Sequence, residues 1–392
     1  MPWCESRAVD ERLRFVSALL SGELTMTQAC EVFGISRKTG YKWQGRYLEQ
    51  GVLGLAERSH APRKHGRATD AALSEALITL KLSRPSWGPR KLLGRLKLDY
   101  PDLIWPAAST ADAILRREGL VQPRHRRRRA PPTLGGLTPP ERPNHVWAVD
   151  HKGWVKLGDG RRCEPLTITD GFSRYLLSLS AGPNTREEEA RPWFEAAFAQ
   201  FGLPWAIRSD NGPPFASTGV TGLTALSVWW TKLGIRHERI TPGKPQQNGR
   251  HERFHRTLLE AMTPPAENQA AQARRFDAFR EDYNHYRPHE ALDQTPPASL
   301  YRPSPRKLPQ HTPEPDYPAH AAVRKVRSNG EIKWRGGLVA ISTALIGEAV
   351  AVEETPTGQW QVRFHARPIG LIDQKTNRLA RLSDPAPIAS DL

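Results

Sequence analysis

Apolar and polar positions follow three rhythms along the chain. In residues 1–62 the informative stretch is LTMTQACEVFGISRKTGYKWQGRYLEQG, whose apolar positions Ala29, Val32, Ile35 and Trp43 fall at helical spacing around Gly34. Thr27 is the predicted cap of a short helix through Phe33, and Ser36 the predicted cap of a second. Two short helices about a glycine turn form a helix-turn-helix pattern. It would set Arg37, Lys38, Tyr41 and Lys42 at the start and outer face of the second helix, where such motifs meet base edges and phosphates. A plain helical hairpin with a solvated basic face shares the pattern. Residues 69–121 keep the helical rhythm, with helices predicted near 71–82 and 89–100 and a third capped by Ser109 and closed at Gly119. Tandem helical modules suit the reading of DNA.

From Asn144 the period changes. HVWAVDHKGWVKL, CEPLTIT and YLLSLSAG are strand-like and separated by GDG and DGFSR turns. A helix is predicted over 185–201, then a strand in LPWAIRSDNG, a helix containing SVWWTKL, a strand IRHERI and a helix in GRHERFHRTLLE. Three strands followed by alternating helix and strand imply a mixed sheet covered by helices, hence an α/β domain over 144–302. Residues 320–382 switch to short strands with an Asn-Gly turn signal, the grammar of a small all-β barrel or sandwich. The fold class is therefore multidomain: all-α modules, a central α/β domain and a C-terminal all-β barrel.

Charge sharpens this division. The net charge is +16, and residues 1–130 hold 24 Lys and Arg against 13 Asp and Glu, or +11, leaving +5 for the rest. A polyanion is the expected partner, with double-stranded DNA favoured by the helical modules. RHRRRRAPPTLGGLTPP, within 122–143, reads as a basic linker: a tether, or one whose Arg126, Arg127, Arg128 and Arg129 follow phosphates. No run approaches the ~18 apolar residues of a membrane span. The N-terminus carries no apolar signal region, so a cytoplasmic protein without membrane attachment is expected. The three cysteines, Cys4, Cys30 and Cys163, have no metal or disulfide spacing.

Three carboxylates stand in special places. Asp150 ends the apolar run Val146–Val149, where a charge is costly unless neutralised. Asp210 closes the fourth strand; Asp-Asn-Gly alone signals a hairpin, but Pro213-Pro214-Phe215 follows in place of a partner strand. On the helix after Gly249, Phe254, Leu258, Leu259, Ala261 and Met262 span roughly 160°, and Glu252 lies about 20° beyond Leu259. If the first and fourth strands are parallel neighbours, the three carboxylates meet at one edge. Such a cluster raises its own pKa values unless a hard cation compensates, and oxygen donors without cysteine suit Mg²⁺ or Mn²⁺. Two ions would serve an in-line phosphodiester displacement by water or a 3′-hydroxyl. His251 and His255 fall near the buried arc and read as packed residues or as ligands. Lys244 and Arg250 are placed to meet phosphate, and Asn248 to cap the helix.

The combination of WAVD, ITDGFSRY, SDNGPPF, PGKPQQNGRHERFHRTL and YNHYRPHEALDQTPPASLY resembles the insertion-sequence transposases that carry a retroviral-integrase-type catalytic core. The resemblance implies an RNase H-like fold for the central domain and an Asp, Asp, Glu triad at Asp150, Asp210 and Glu252, serving as both catalytic and metal-binding residues. It also implies DNA ends and target as partners and a homo-oligomer when assembled on DNA. The triad intervals are 59 and 41 residues. The second exceeds that of many relatives, and STGVTGL at 217–223 is the expected place of the extra length. Asp170, in a strand-connecting turn, is given no metal role by the resemblance. Tyr283, His285 and His289 are expected to pack.

Overall fold

The computed structural model describes residues 8–57, 69–121, 136–242, 247 and 249–382. Two compact units divide the chain, 1–70 and 71–392. Among the described residues no helix is long and apolar enough to cross a membrane.

The first unit is a three-helix module, α1 (Ala8–Leu20), α2 (Met26–Val32) and α3 (Arg37–Gln50). Phe15, Val16, Ala29, Cys30, Trp43 and Leu55 form its core. Gly40 lets α3 close on the other two helices, since a Cβ there would lie 2.8 Å from the Cys30 Sγ and 2.9 Å from the Phe15 ring. Ser36 caps α3 as expected. The cap of α2 is Thr25 rather than Thr27: its side chain accepts from the Gln28 amide while Gln28 returns to the Thr25 backbone, a complete capping box. Val32, expected in the core, is 69% exposed.

The second unit begins with α4 (Ala71–Ser83), α5 (Pro89–Asp99) and α6 (Ala108–Arg117), packed around Leu77, Trp87, Leu92, Trp105 and Leu115. Ala107, not Ser109, occupies the N-cap position of α6. Gly119 ends that helix with a left-handed φ of 69°, and Leu120 donates back to the Leu115 carbonyl. These helices are docked on the segment that follows the central domain's last helix. Arg84 pairs with Asp282, Arg90 with Glu290 at 3.2 Å, and Tyr286 packs on the Trp87 ring.

The central sheet is built from β1 (Val146–His151), β4 (Leu166–Asp170), β5 (Leu176–Leu179), β6 (Ala206–Ser209) and β7 (Arg236–Arg239), in the order β5-β4-β1-β6-β7. A small hairpin, β2 (Val155–Lys156) with β3 (Arg162–Cys163), interrupts the chain between β1 and β4. β1 pairs antiparallel with β4 and parallel with β6, which in turn runs parallel to β7. Trp147, Val149, Leu166, Ile168 and Ile207 face α7 (Glu187–Phe201) and α8 (Ala225–Lys232) in one core. The opposite face is covered by α9 (Gly249–Met262), with α10 (Gln269–Glu281) behind it.

The C-terminal strands, β8 (Ala322–Lys325), β9 (Glu331–Trp334), β10 (Gly337–Ala340), β11 (Ala349–Glu354), β12 (Trp360–Phe364), β13 (Arg367–Asp373) and β14 (Arg378–Ala380), form a nearly closed barrel in the order β8-β11-β12-β13-β14-β10-β9. The Asn329-Gly330 turn forms, with Gly330 at φ 81°. Its flanking strands β8 and β9 nevertheless stand at opposite ends of the sheet order, so the turn closes the barrel instead of making a hairpin ladder.

Candidate active site

β1 alternates between two environments. Trp147 and Val149 enter the core under α7 and α8, which leaves Ala148 and Asp150 on the face beneath α9. Ala148 lies opposite Arg208 of the parallel β6. Continuing that register by two residues sets Asp150 level with Asp210, one position past the end of β6. The two carboxylates thus reach the same sheet edge on adjacent strands. Asp210 is held in its turn by the Gly212 amide, which donates to its Oδ1 at 3.2 Å, while the Asn211 side chain ties the turn to the Ile240 carbonyl at 2.7 Å. Glu252 occupies the first turn of α9, exposed, on the helix that covers this face.

The charges register one another. The Asp150 carboxyl is pushed up to about 7, first by burial, then by Asp210, with Glu252 adding to the rise. The backbone of His151 and the Lys152 ammonium oppose this without cancelling it.

Beneath the carboxylates lies a polar layer. Thr167 of β4, paired with Asp150, donates its hydroxyl proton to the Asp150 carbonyl at 2.9 Å. The Nε2 atoms of His251 and His255 both approach that same hydroxyl oxygen, at 2.5 and 3.0 Å. In the tautomer in which each imidazole donates its Nε2–H to that oxygen, the hydroxyl proton stays on the Asp150 carbonyl. Nδ1 of His255 then carries a lone pair and faces Oδ2 of Asp150 at 3.9 Å. Burial holds His255 down to about 3, and His251 well below its ordinary value, so neither imidazole brings a proton to this contact. Two acceptors confronting one another suit a cation between them. One ligand atom from each of Asp150, His251 and His255 falls within 4.8 Å of the others. A donor set of clustered carboxylates with neutral imidazole fits a divalent cation.

The other predicted site residues are distributed as follows. Arg37, Lys38, Tyr41 and Lys42 all lie on the exposed side of α3. Arg250 is exposed, its guanidinium donating to the Gly171 carbonyl at 3.3 Å. Arg126, Arg127, Arg128, Arg129, Lys244 and Asn248 lie outside the described residues. Asp170 is fully buried and accepts from the Asn144 amide and from the amide and hydroxyl of Ser173, at 2.6–2.7 Å. Tyr283 and His289 pack against each other, as expected. The sequence reading missed the Thr167 hub. Its signal was the pair Thr167 and Thr169 on one strand face opposite His251 and His255 one helical turn apart.

Family models match the helical modules, the central domain and the C-terminal strands. The integrase core domain family matches residues 140–245 and again 233–297. A helix-turn-helix domain matches 11–63, a homeodomain-like domain 39–115, and the IS481 family transposase C-terminal domain 321–379. An uncharacterized 39.2 kDa protein of insertion element IS476 from Xanthomonas euvesicatoria is 29% identical over 58% of this chain and 64% of its own length. An uncharacterized 31.7 kDa protein of insertion element IS407 from Burkholderia multivorans is 31% identical over 47% of this chain and 66% of its own length. The chain thus spans slightly under two thirds of either relative. Among solved structures, a chain of the simian T-cell lymphotropic virus intasome in complex with the PP2A regulatory subunit B56 gamma aligns over 79% of this chain and 99% of its own, at 20% identity and a TM-score of 0.35. A helix-turn-helix domain, an integrase core and an IS481-type C-terminal domain are thus matched one after another along a single chain, an order in which it is similar to insertion-sequence transposases with an integrase-type core.

Proposed function

We propose that this protein is a DNA transposase that binds the ends of a mobile element and carries out metal-dependent phosphodiester cleavage and strand transfer. The observation that carries the reading is the carboxyl of Asp150, level with Asp210 at the sheet edge and pushed up to about 7 by burial, by Asp210 and by Glu252. Asp150, Asp210 and Glu252 would hold Mg²⁺ or Mn²⁺, as a pair of ions. Such ions, when bound, activate the attacking oxygen and stabilise the leaving one. The protein's own residues do the rest. β1 and β6 present Asp150 and Asp210 side by side, and α9 brings Glu252 to the same face. Thr167, His251 and His255 hold the floor under Asp150 through hydrogen bonds.

DNA recognition falls to α3, where Arg37, Lys38, Tyr41 and Lys42 are available to base edges and phosphates. Arg126–Arg129 and Lys244 would add sequence-independent phosphate contacts. Arg250, exposed and donating to the Gly171 carbonyl, would add a further phosphate contact. Joining two ends to a target calls for more than one copy, so the active form is a homo-oligomer on DNA.

The test is strand transfer with the terminal repeats that flank the coding sequence, with and without Mg²⁺, comparing the unaltered chain with Asp150→Asn, Asp210→Asn and Glu252→Gln. Each substitution is expected to abolish transfer while leaving end binding intact. Retained transfer in any of the three removes that residue from the triad. Binding without transfer by the unaltered chain would instead identify a repressor.

A further inference from the structure

The seam between the central sheet and the C-terminal barrel holds two arginines that, among the described residues, have no carboxylate partner. Arg239 ends β7 and pairs with Ser209, the residue before Asp210. Its neighbour Glu238 points to the other face of the sheet and is engaged by Arg208 at 2.9 Å and Arg236 at 3.3 Å. Arg367 begins β13 of the barrel, and the Arg239 guanidinium is near enough to disfavour its charge. Among the described residues neither guanidinium has an ion pair or a hydrogen bond, and Nη1 of Arg367 is buried without a partner. Burial, and then Arg239, bring Arg367 down to about 10. His237, near both, stays neutral and bonds to the Ser209 hydroxyl at 2.8 Å.

The same seam is closed by residues 217–223, between Asp210 and Glu252. Leu223 enters the hydrophobic core of the barrel. Arg381 donates to the carbonyls of Val220 and Gly219, both at 3.3 Å. Gly222, at φ 65°, lies directly under Arg239: a Cβ there would sit 2.5 Å from its Nη1. Lys232 and Glu348 add an ion pair at 2.7 Å across the interface. Residues 217–223 thus fix the barrel against the sheet edge and support Arg239 next to the strand that delivers Asp210.

Two half-withdrawn guanidiniums without an anion are costly as they stand, and an anion relieves both at once. Both side chains remain partly open to solvent. The geometry points to a phosphate-binding site at this seam, in which Arg239 and Arg367 together hold a backbone phosphate of the DNA strand lying across the carboxylate edge. The inference rests on the transposase reading for its ligand, and it assigns the barrel a direct part in holding the substrate beside Asp210.

Its test is equilibrium binding of the full chain to a labelled duplex of arbitrary sequence without divalent cation, across a range of salt concentrations. Arg239→Gln and Arg367→Gln are each expected to flatten the dependence of log affinity on log salt by about 0.9, and to weaken binding roughly 5- to 10-fold near ~0.1 M salt. Arg239→Lys and Arg367→Lys should retain the slope. Without DNA, the glutamine variants should melt no lower than the unaltered chain, because a repulsion has been removed. Unchanged slopes, or a lower melting temperature that lysine does not restore, would overturn the site. A second arm compares melting in sodium phosphate and sodium chloride at equal ionic strength. Stabilisation by phosphate that needs both arginines, combined with unchanged DNA slopes, would assign the site to a free anion and overturn the DNA contact. Strand transfer is scored separately. An unaltered chain that fails to transfer while the slopes drop would sink the transposase reading and leave the arginine site standing.

Discussion

Asp150 and Asp170 sit on neighbouring strands of one sheet, both withdrawn from water, and their surroundings answer that burial differently. Around Asp170 the chain supplies donors: the Asn144 amide on one oxygen, the Ser173 amide and hydroxyl on the other. Asn144 is in turn fixed by Trp147, Tyr301 and the Arg302 carbonyl. Burial still raises Asp170, but hydrogen bonds from Ser173, Asn144 and Phe172 pull it back. Around Asp150 the His151 backbone and the Lys152 ammonium are outweighed by burial and by negative charge from Asp210 and Glu252, and an imidazole nitrogen of His255 faces it. A carboxylate that the fold has satisfied is structural. One whose neighbours raise it further is organised for something the fold does not itself provide.

The largest effect that would break this contrast is on chemistry. Asp150→Asn should reduce strand transfer by at least about a thousandfold, roughly 4 kcal/mol of transition-state stabilisation. The same variant should unfold at no lower temperature than the unaltered chain when divalent cation is absent, since it relieves the repulsion. Next in size is the reverse pattern. Asp170→Ala strands the Asn144 and Ser173 amides in the interior, and should lower stability by about 3 kcal/mol in urea unfolding while the folded fraction keeps its transfer activity. A stable but inactive Asp170→Ala would erase the distinction between the two aspartates.

Much of this contrast was legible in the sequence, for identifiable reasons. Asp150 at the end of an apolar strand and Asp210 after another could be placed because strand order and crossover rules leave few arrangements, and β1 beside a parallel β6 was the expected one. Glu252 followed from helical periodicity, but the buried stripe of α9 was drawn one position too wide. Leu259 is 45% exposed, and His251 and His255 take the inward positions instead. A hydrophobicity pattern counts histidine as polar and cannot see that two threonines on the facing strand will satisfy it. The Thr25 cap was readable, since Thr-x-x-Gln is a capping box. The docking of the barrel through residues 217–223 was not, because nothing local marks Leu223 as belonging to another domain's core.

A smaller effect concerns pH. The folded Asp150 titrates at about 7, above the ~3.9 of an unfolded aspartate, so the native state favours its protonated form. The stability contributed by that proton is complete below about pH 4 and is lost as the pH rises through 7. The unaltered chain without divalent cation should therefore lose on the order of 2–3 kcal/mol between about pH 5 and 8, less than the full shift because the side chain keeps 20% of its exposure. Mg²⁺ should restore much of it at the upper end, and Asp150→Asn should flatten the profile. Thermal melts across pH with and without Mg²⁺ read all three.

The smallest effect probes the floor beneath Asp150. Thr167→Val preserves the shape of β4 but removes the oxygen on which both imidazole Nε2–H groups converge and the proton given to the Asp150 carbonyl. Val is well suited to a strand, so the loss isolates the hydroxyl. A decrease of about 1–2 kcal/mol in stability is expected, a few degrees in melting temperature for a unit of this size. Transfer should fall by about tenfold, as His255 and Asp150 lose the contact that holds them in register. Thr167→Ser, which keeps the oxygen, should recover most of both. If valine lowers stability but transfer is unaffected, the threonine, like Asp170, serves only the fold, and the polar layer that distinguishes the Asp150 end of the sheet reduces to the carboxylates alone.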